Sequence, residues 1–122
     1  MTDTTPQNPQ PTTPPITPAD IPPGTAKTIH VNETPVCLAN HNGTIYAVSD
    51  SCTHAQISLD GSPLEGRQII CPWHGAMFDL KTGRATCGPA TDPLTSYPIH
   101  INPKTNQIEI DTQNPNPDPN HD

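Results

Sequence analysis

A chain of 122 residues is long enough for one domain and too short for two. Its net charge of −7 includes only five Lys and Arg residues, which lie scattered along the chain and argue against nucleic acid binding. No apolar run is long enough to span a membrane, and the polar N-terminus has no signal-peptide core. We therefore expect a cytoplasmic protein, in which cysteines are more often metal ligands or buried thiols than disulfides.

Both ends of the chain are rich in proline and poor in apolar residues. Residues 1–24 hold eight of the 18 prolines, and residues 112–122 hold three more. Neither segment can bury enough surface to offset the entropy of ordering it, so we expect disordered tails. These tails would keep the protein in solution, or a proline-rich arm would dock onto a partner. The predicted folded unit is residues 25–111.

Short strands separated by turn signals fill the folded unit. The Asn-Gly pair within residues 41–43 predicts a tight hairpin between two of them. Residues 50–66 indicate an ordered loop, and residues 81–85 a glycine turn. The spacing predicts an all-β sandwich or barrel, with a closing hairpin formed by the last two strands. The expected strands are residues 27–31, 35–40, 44–49, 67–72, 76–80, 95–101 and 107–110.

Two thiols and two imidazoles stand at metal-ligand spacing, in the stretches "CTH" (52–54) and "CPWHG" (71–75). On extended chain, residues two apart point the same way, so Cys52 and His54 can face one centre. A tight turn does the same for Cys71 and His74, because Pro72 between them has a locked φ. A structural zinc would accept these ligands, although its usual sites pair Cys with Cys and His with His. A [2Fe–2S] cluster in which two His replace two Cys on one iron needs mixed pairs like these.

These two stretches together resemble the Rieske iron–sulfur proteins. The stretch "IYAVSDSCTH" (45–54) is similar to the family's lead-in strand, and "GPATDPLTSYPI" (88–99) to the proline loop that covers the cluster. The resemblance spans roughly residues 26–111. It implies the Rieske fold, in which small antiparallel sheets carry a cluster-binding subdomain at one tip. It also implies that Cys52 and Cys71 bind one iron of a single [2Fe–2S] cluster, and that His54 and His74 bind the other.

Three further residues are expected to shield the cluster. Trp73 is placed either to pack over the first ligand loop or to stand exposed at the tip where partners dock. Gly75 lacks a Cβ, which would let its backbone approach a bulky inorganic centre. Pro89 is expected to cover the cluster without presenting an unpaired N–H. Two remaining thiols, Cys37 and Cys87, are expected to be small buried hydrophobes.

Several absences predict a low reduction potential. The high-potential relatives carry a disulfide between the ligand loops, whereas the corresponding positions here are Ile57 and Trp73. Those relatives also have serine and tyrosine hydroxyls after the second motif, where this chain has Ala76 and Phe78. Donors to the cluster stabilise its more negative, reduced form, so their loss lowers the potential. We expect a midpoint near the low end of the Rieske range, about −150 mV.

The resemblance therefore implies a monomeric, soluble, low-potential ferredoxin rather than an enzyme. Such a protein passes single electrons from a flavin-dependent NAD(P)H reductase to a terminal non-haem iron oxygenase that hydroxylates aromatic rings, and both contacts are transient. A dioxygenase system is favoured over a monooxygenase system. One alternative is the small Rieske-like subunit of an assimilatory nitrite reductase, although many of those lack the ligands. A further alternative is a zinc-stabilised binding module. The colour of the purified protein distinguishes such a module from an iron–sulfur protein.

Overall fold

The computed structural model describes residues 15–50, 58–71, 75–87 and 93–116. Within them every paired strand is antiparallel, and the all-β fold class is confirmed. No helix among the described residues is long and apolar enough to cross a membrane. The strands are β1 (Ala26–Val31), β2 (Thr34–His41), β3 (Thr44–Ser49), β4 (Leu64–Glu65), β5 (Gln68–Ile70), β6 (Met77–Asp79), β7 (Ala85–Cys87), β8 (Ser96–Tyr97), β9 (Ile99–Ile101) and β10 (Ile108–Ile110).

The first sheet has the strand order β1-β2-β3-β8 and is joined by two tight turns. The predicted turn at Asn42 and Gly43 forms with φ values of 54° and 91°, the left-handed pair that a two-residue hairpin needs. A second such turn, at Asn32 and Glu33, was not predicted, because glutamate is a poor indicator of positive φ. Its φ values are 51° and 75°.

Strand β2 is buried on both faces of this sheet, which explains its continuous apolar run. Val36 and Leu38 point into one hydrophobic cluster, which also contains residues of β1, β3 and β10. Cys37 and Ala39 alternate with them and point into a second cluster, which contains residues of β5 and β6. The first sheet is thus the middle layer of the molecule.

The second sheet has the order β4-β5-β6-β7, with Ile69 opposite Phe78. Strand β4 falls within the predicted loop, and β7 begins at the last residue of the predicted glycine turn and continues beyond it. They are two and three residues long, too short for an alternating pattern, so only pairing with their neighbours defines them. The predicted strand 95–101 is divided at Pro98: β8 joins the first sheet, and β9 pairs with β10 in the expected closing hairpin.

Part of the predicted N-terminal tail belongs to the folded unit. Ile16 and Ile21 are 4% and 0% exposed, and they pack in the same cluster as Val36 and Leu38. The Ile16 carbonyl accepts the amide of Ile108 over 2.8 Å. The fold therefore begins before the predicted boundary at residue 25, because two isoleucines anchor a proline-rich segment.

The predicted C-terminal boundary moves as well. The Asn116 amide donates to the carbonyl of Ser96 over 2.9 Å, so residues beyond 111 are held against β8. The rest of the two predicted tails, residues 1–14 and 117–122, lies outside the described residues.

Candidate metal centre

Cys71 is the one predicted ligand that lies within the described residues. It directly follows β5 and is fully buried. Its amide donates to the carbonyl of Ala76 over 2.7 Å, which closes the β5–β6 hairpin beneath residues 72–75. The thiol therefore sits at the base of the hairpin tip. Trp73 and His74 follow Cys71 in the sequence and lie outside the described residues.

Gly75 ends the hairpin tip and has a φ of +73°, a conformation that side chains with a Cβ rarely adopt. A Cβ built there would meet no described atom within 4 Å. Among the described residues the glycine is thus required by backbone conformation. Its predicted close approach to a cluster stays a prediction.

The loop that carries Cys52 and His54 leaves β3 and returns at Leu59. Residues 51–57 lie outside the described residues, but the two ends of the loop are joined. The Leu59 amide donates to the carbonyl of Asp50 over 2.8 Å and to one of its carboxylate oxygens over 3.1 Å. The segment that holds the two predicted ligands is therefore closed at its ends by Asp50 and Leu59.

The predicted covering loop is anchored in the same way. Pro89 lies in residues 88–92, outside the described residues. Before this segment, Cys87 pairs with Met77 of β6. After it, the Leu94 amide donates to the carbonyl of Gly83 over 2.7 Å.

The bases of the three loops meet in one core. Leu59, Cys71, Ala76, Phe78 and Leu94 are each at most 1% exposed and belong to one hydrophobic cluster. This common core brings together the points from which the predicted ligand loops and the covering loop emerge. The positions of Cys52, His54 and His74 relative to Cys71 stay a prediction.

The described residues suit an iron–sulfur cluster. A cluster needs soft thiolate ligands and is tuned by the burial and hydrogen bonding of its surroundings. The Cys71 thiol could supply such a ligand from its buried position, and the neighbouring Ala76 and Phe78 present no side-chain hydroxyl. The described residues by themselves contain no group of three His, Cys, Asp or Glu side chains that could hold a metal ion.

Cys37 is confirmed as a buried thiol. It is fully buried, and burial, with a smaller contribution from the nearby Asp50 carboxylate, raises its pKa to about 12. Its sulfur approaches the Leu59 carbonyl at 3.8 Å. A protonated thiol is a poor nucleophile and a poor metal ligand, so Cys37 serves packing. The side chain of Cys87 lies outside the described residues.

Asp50 is a buried residue beside the first ligand loop that was not predicted from the sequence. The residue is only 8% exposed, and its carboxylate accepts the hydroxyl of Thr28 as well as the amide of Leu59. The only local feature that could have pointed to Asp50 is its place between a predicted strand and the first predicted ligand. Its partner Thr28 is 22 residues away along the chain, so no local pattern reveals the contact.

A polar groove at one end of the second sheet gathers charges that are distant in sequence. The Arg67 guanidinium donates to the Asp79 carboxylate over 2.8 and 3.3 Å, and the Thr82 hydroxyl donates to the same carboxylate over 3.0 Å. Arg84 also lines this groove. Two of the basic side chains that look scattered in the sequence therefore meet here.

The sequence matches the family model of the Rieske [2Fe-2S] domain over residues 13–98, which include all four predicted ligands. It is 46% identical over 85 residues to the 3-phenylpropionate/cinnamic acid dioxygenase ferredoxin subunit of Escherichia coli (strain K12). That alignment covers 68% of this chain and 78% of the relative.

Solved structures of the same family share the fold. The ferredoxin of carbazole 1,9a-dioxygenase from Nocardioides aromaticivorans IC177 superposes with a TM-score of 0.76 at 26% identity, over 84% of this chain and 97% of that chain. A chain from the complex of reduced oxygenase and oxidized ferredoxin in carbazole 1,9a-dioxygenase superposes with a TM-score of 0.72 at 28% identity, over 80% and 89% of the two chains. The present chain belongs to the Rieske [2Fe–2S] family.

Proposed function

We propose that the chain is a cytoplasmic Rieske ferredoxin of an aromatic-ring-hydroxylating dioxygenase system. It takes single electrons from a flavin-dependent NAD(P)H reductase and passes them to the terminal non-haem iron oxygenase, in transient contacts as a monomer. The observation that carries the proposal is the 46% identity, over 85 residues, to a ferredoxin subunit of a dioxygenase. The likeness to two carbazole dioxygenase ferredoxin structures supports it.

In this proposal Cys52 and Cys71 hold one iron, and His54 and His74 hold the other. When bound, the cluster takes up and releases one electron at a time. The chain's own part is to fix the ligands on closed loops above a common core and to keep water from the Cys71 side. The hydrogen bond from the Cys71 amide to the Ala76 carbonyl and the burial of Phe78 do this on the second loop.

The cofactor is tested on the purified protein by its colour, its visible absorption and its iron and sulfide content. We expect a reddish-brown protein with two irons and two sulfides, as the [2Fe–2S] formula requires, that bleaches with dithionite. A colourless protein that holds one zinc ion would overturn the proposal.

Two buried cysteines give a matched pair of variants for the ligand assignment. Cys71 and Cys37 are both fully buried in the same cluster, but only Cys71 is a proposed ligand. We expect Cys71→Ala to lose the cluster and Cys37→Ala to keep it with unchanged EPR g values. A Cys71→Ala protein that keeps an unaltered cluster would contradict the assignment.

Electron delivery is tested by mixing the reduced protein with an aromatic-ring dioxygenase component in a stopped-flow instrument. We expect the absorbance of the oxidised cluster to return as the oxygenase takes one electron per ferredoxin. A second mixing experiment with a flavin NAD(P)H reductase tests the other half of the shuttle. Protein that holds its cluster but exchanges no electrons with either partner would refute the carrier role alone.

A further inference from the structure

We propose that Asp50 is a positioning residue for the cluster: its buried carboxylate closes the base of the first ligand loop, which carries the proposed ligands Cys52 and His54. This inference rests on the ligand set of the proposed function. Asp50 precedes Cys52 by two residues, and its carboxylate and carbonyl both bind the amide of Leu59. One residue thus joins the outgoing and returning ends of the loop.

The carboxylate is also attached to the first sheet. One of its oxygens, Oδ1, accepts both the Thr28 hydroxyl and the Leu59 amide. Thr28 lies on β1 directly opposite Cys37 of β2, so the link reaches the middle layer of the molecule. The loop is consequently fixed to β1, an edge strand of the first sheet, and not only to itself.

The returning segment has separate anchors on the edge of β1. The Gly61 amide donates to the Ala26 carbonyl over 3.1 Å, and the Thr28 amide donates to the Asp60 carboxylate over 2.8 Å. These bonds hold the chain after the loop without the help of Asp50. The Asp50 contact is therefore additional, and it stands two positions before the proposed ligand Cys52 in the sequence.

Closing a loop with a buried carboxylate has a cost in free energy. Burying an ionised group costs more than burying a neutral one unless hydrogen bonds compensate for the lost hydration. Here the Thr28 hydroxyl and the Leu59 amide supply that compensation. Groups behind metal ligands act by fixing the ligands' orientation, which small displacements disturb. Hydrogen bonds to the Asp50 carboxylate at the base of the loop would restrict such displacements.

Four variants separate positioning from general stability. Asp50→Ala removes the acceptor, and Asp50→Asn keeps an acceptor oxygen but removes the charge. Thr28→Val removes the hydroxyl, which bonds Asp50 and also the Cys37 thiol, and leaves the carboxylate in place. Asp60→Asn is the matched control, because this exposed carboxylate also binds Thr28 but lies after the loop. The measurements are EPR g values of the reduced holoprotein, the midpoint potential, and the rate of cluster loss to an iron chelator.

We expect Asp50→Ala to lose its cluster about tenfold faster or more, as the loss of hydrogen bonds to a charged group implies, and to show shifted g values. Thr28→Val should show a smaller change in the same direction. Asp50→Asn should keep the wild-type g values but have a higher midpoint, since reduction no longer adds charge beside a carboxylate. Asp60→Asn should match the wild type in all three measurements.

The inference is overturned if Asp50→Ala and Thr28→Val have the g values and release rates of Asp60→Asn. If Asp50→Ala does not fold, Thr28→Val decides, because it keeps the charge and nearly the same shape. Wild-type protein that binds the cluster but reduces no oxygenase would contradict the proposed carrier role and leave these measurements valid. Wild-type protein without a cluster would overturn both.

Discussion

The backbone of Leu94 lies directly against Gly83. The Leu94 amide donates to the Gly83 carbonyl over 2.7 Å, and a Cβ built on Gly83 would lie 2.1 Å from the Leu94 carbonyl oxygen. Gly83 also has a φ of +83°. Two constraints, conformation and close approach, therefore require glycine where the chain returns from the predicted covering loop.

Replacing Gly83 with alanine should destabilise the protein by about 3 kcal/mol or more, because a left-handed alanine and an overpacked backbone contact each cost about 1–2 kcal/mol or more. Gly24 provides the control. Its φ is +84°, but a Cβ there would meet no described atom within 4 Å. We expect Gly24→Ala to cost only about 1 kcal/mol. Urea unfolding measures both, and equal costs would mean that the Leu94 contact is unimportant.

Local signals made much of the fold predictable from the sequence. Asn42 and Gly43 specify a hairpin by their own backbone preferences, and β3 forms over the expected residues, Thr44–Ser49. The Cys and His spacing of the two predicted ligand loops likewise needs only a few adjacent residues. Such features depend on interactions that are close along the chain.

Features set by tertiary contact were not predictable. Ile16 and Ile21 lie among prolines that favour an extended tail, and only their burial against the first sheet orders them. Asp50 depends on Thr28, 22 residues away, and Arg67 on Asp79, 12 residues away. No periodic pattern records such pairs, so the loop closure and the polar groove emerged only with the structure.

Cys37 should resist thiol reagents in the native protein. Burial, reinforced by the Asp50 carboxylate, raises its pKa to about 12, so almost none of it is thiolate at pH 8. Mass spectrometry after iodoacetamide treatment should find Cys37 unmodified in native protein and modified after unfolding in urea. Native labelling of Cys37 at pH 8 would show that the thiol is accessible.

The raised pKa of Cys37 makes the stability of the protein depend on pH in the alkaline range. The unfolded thiol ionises near 9.0 and the folded thiol near 12, so this contribution is complete below pH 9 and is lost as pH rises through that interval. We expect the free energy of unfolding to fall by as much as about 1.4 kcal/mol per pH unit there. Cys37→Ala should remove this slope. An identical slope in the variant would assign it to other groups.

Asp79 should stabilise the second sheet at neutral pH. Burial tends to raise its pKa, but hydrogen bonds from Arg67, Thr82 and the Lys81 amide outweigh burial and lower the pKa below its ordinary value. Asp79→Asn should therefore cost about 1–2 kcal/mol at pH 7. Because the folded pKa is depressed, the advantage of Asp79 is present above the ordinary carboxyl pKa and is lost as pH falls through the folded value.

Urea unfolding at pH 7 and at about pH 2 tests this sign. The difference between the wild type and Asp79→Asn should shrink at the lower pH, and a constant difference would contradict the assignment. Arg67→Gln and Lys81→Gln remove the same charge, but only the Arg67 side chain bonds Asp79. We expect Arg67→Gln to be the more destabilising of the two.

The reduction potential should be low because the residues after the second ligand motif are apolar. Ala76 and Phe78 are both fully buried beside Cys71, so the core offers no side-chain hydroxyl at these two positions. We expect a midpoint of about −150 mV by voltammetry at neutral pH.

Ala76→Ser should raise this midpoint, since a donor to the cluster stabilises the extra negative charge of the reduced form. The control is Thr86→Ser, an exposed hydroxyl on β7 that remains after the change. A wild-type midpoint above zero, or an Ala76→Ser midpoint equal to that of the control, would show that hydroxyl donors do not set the potential of this protein.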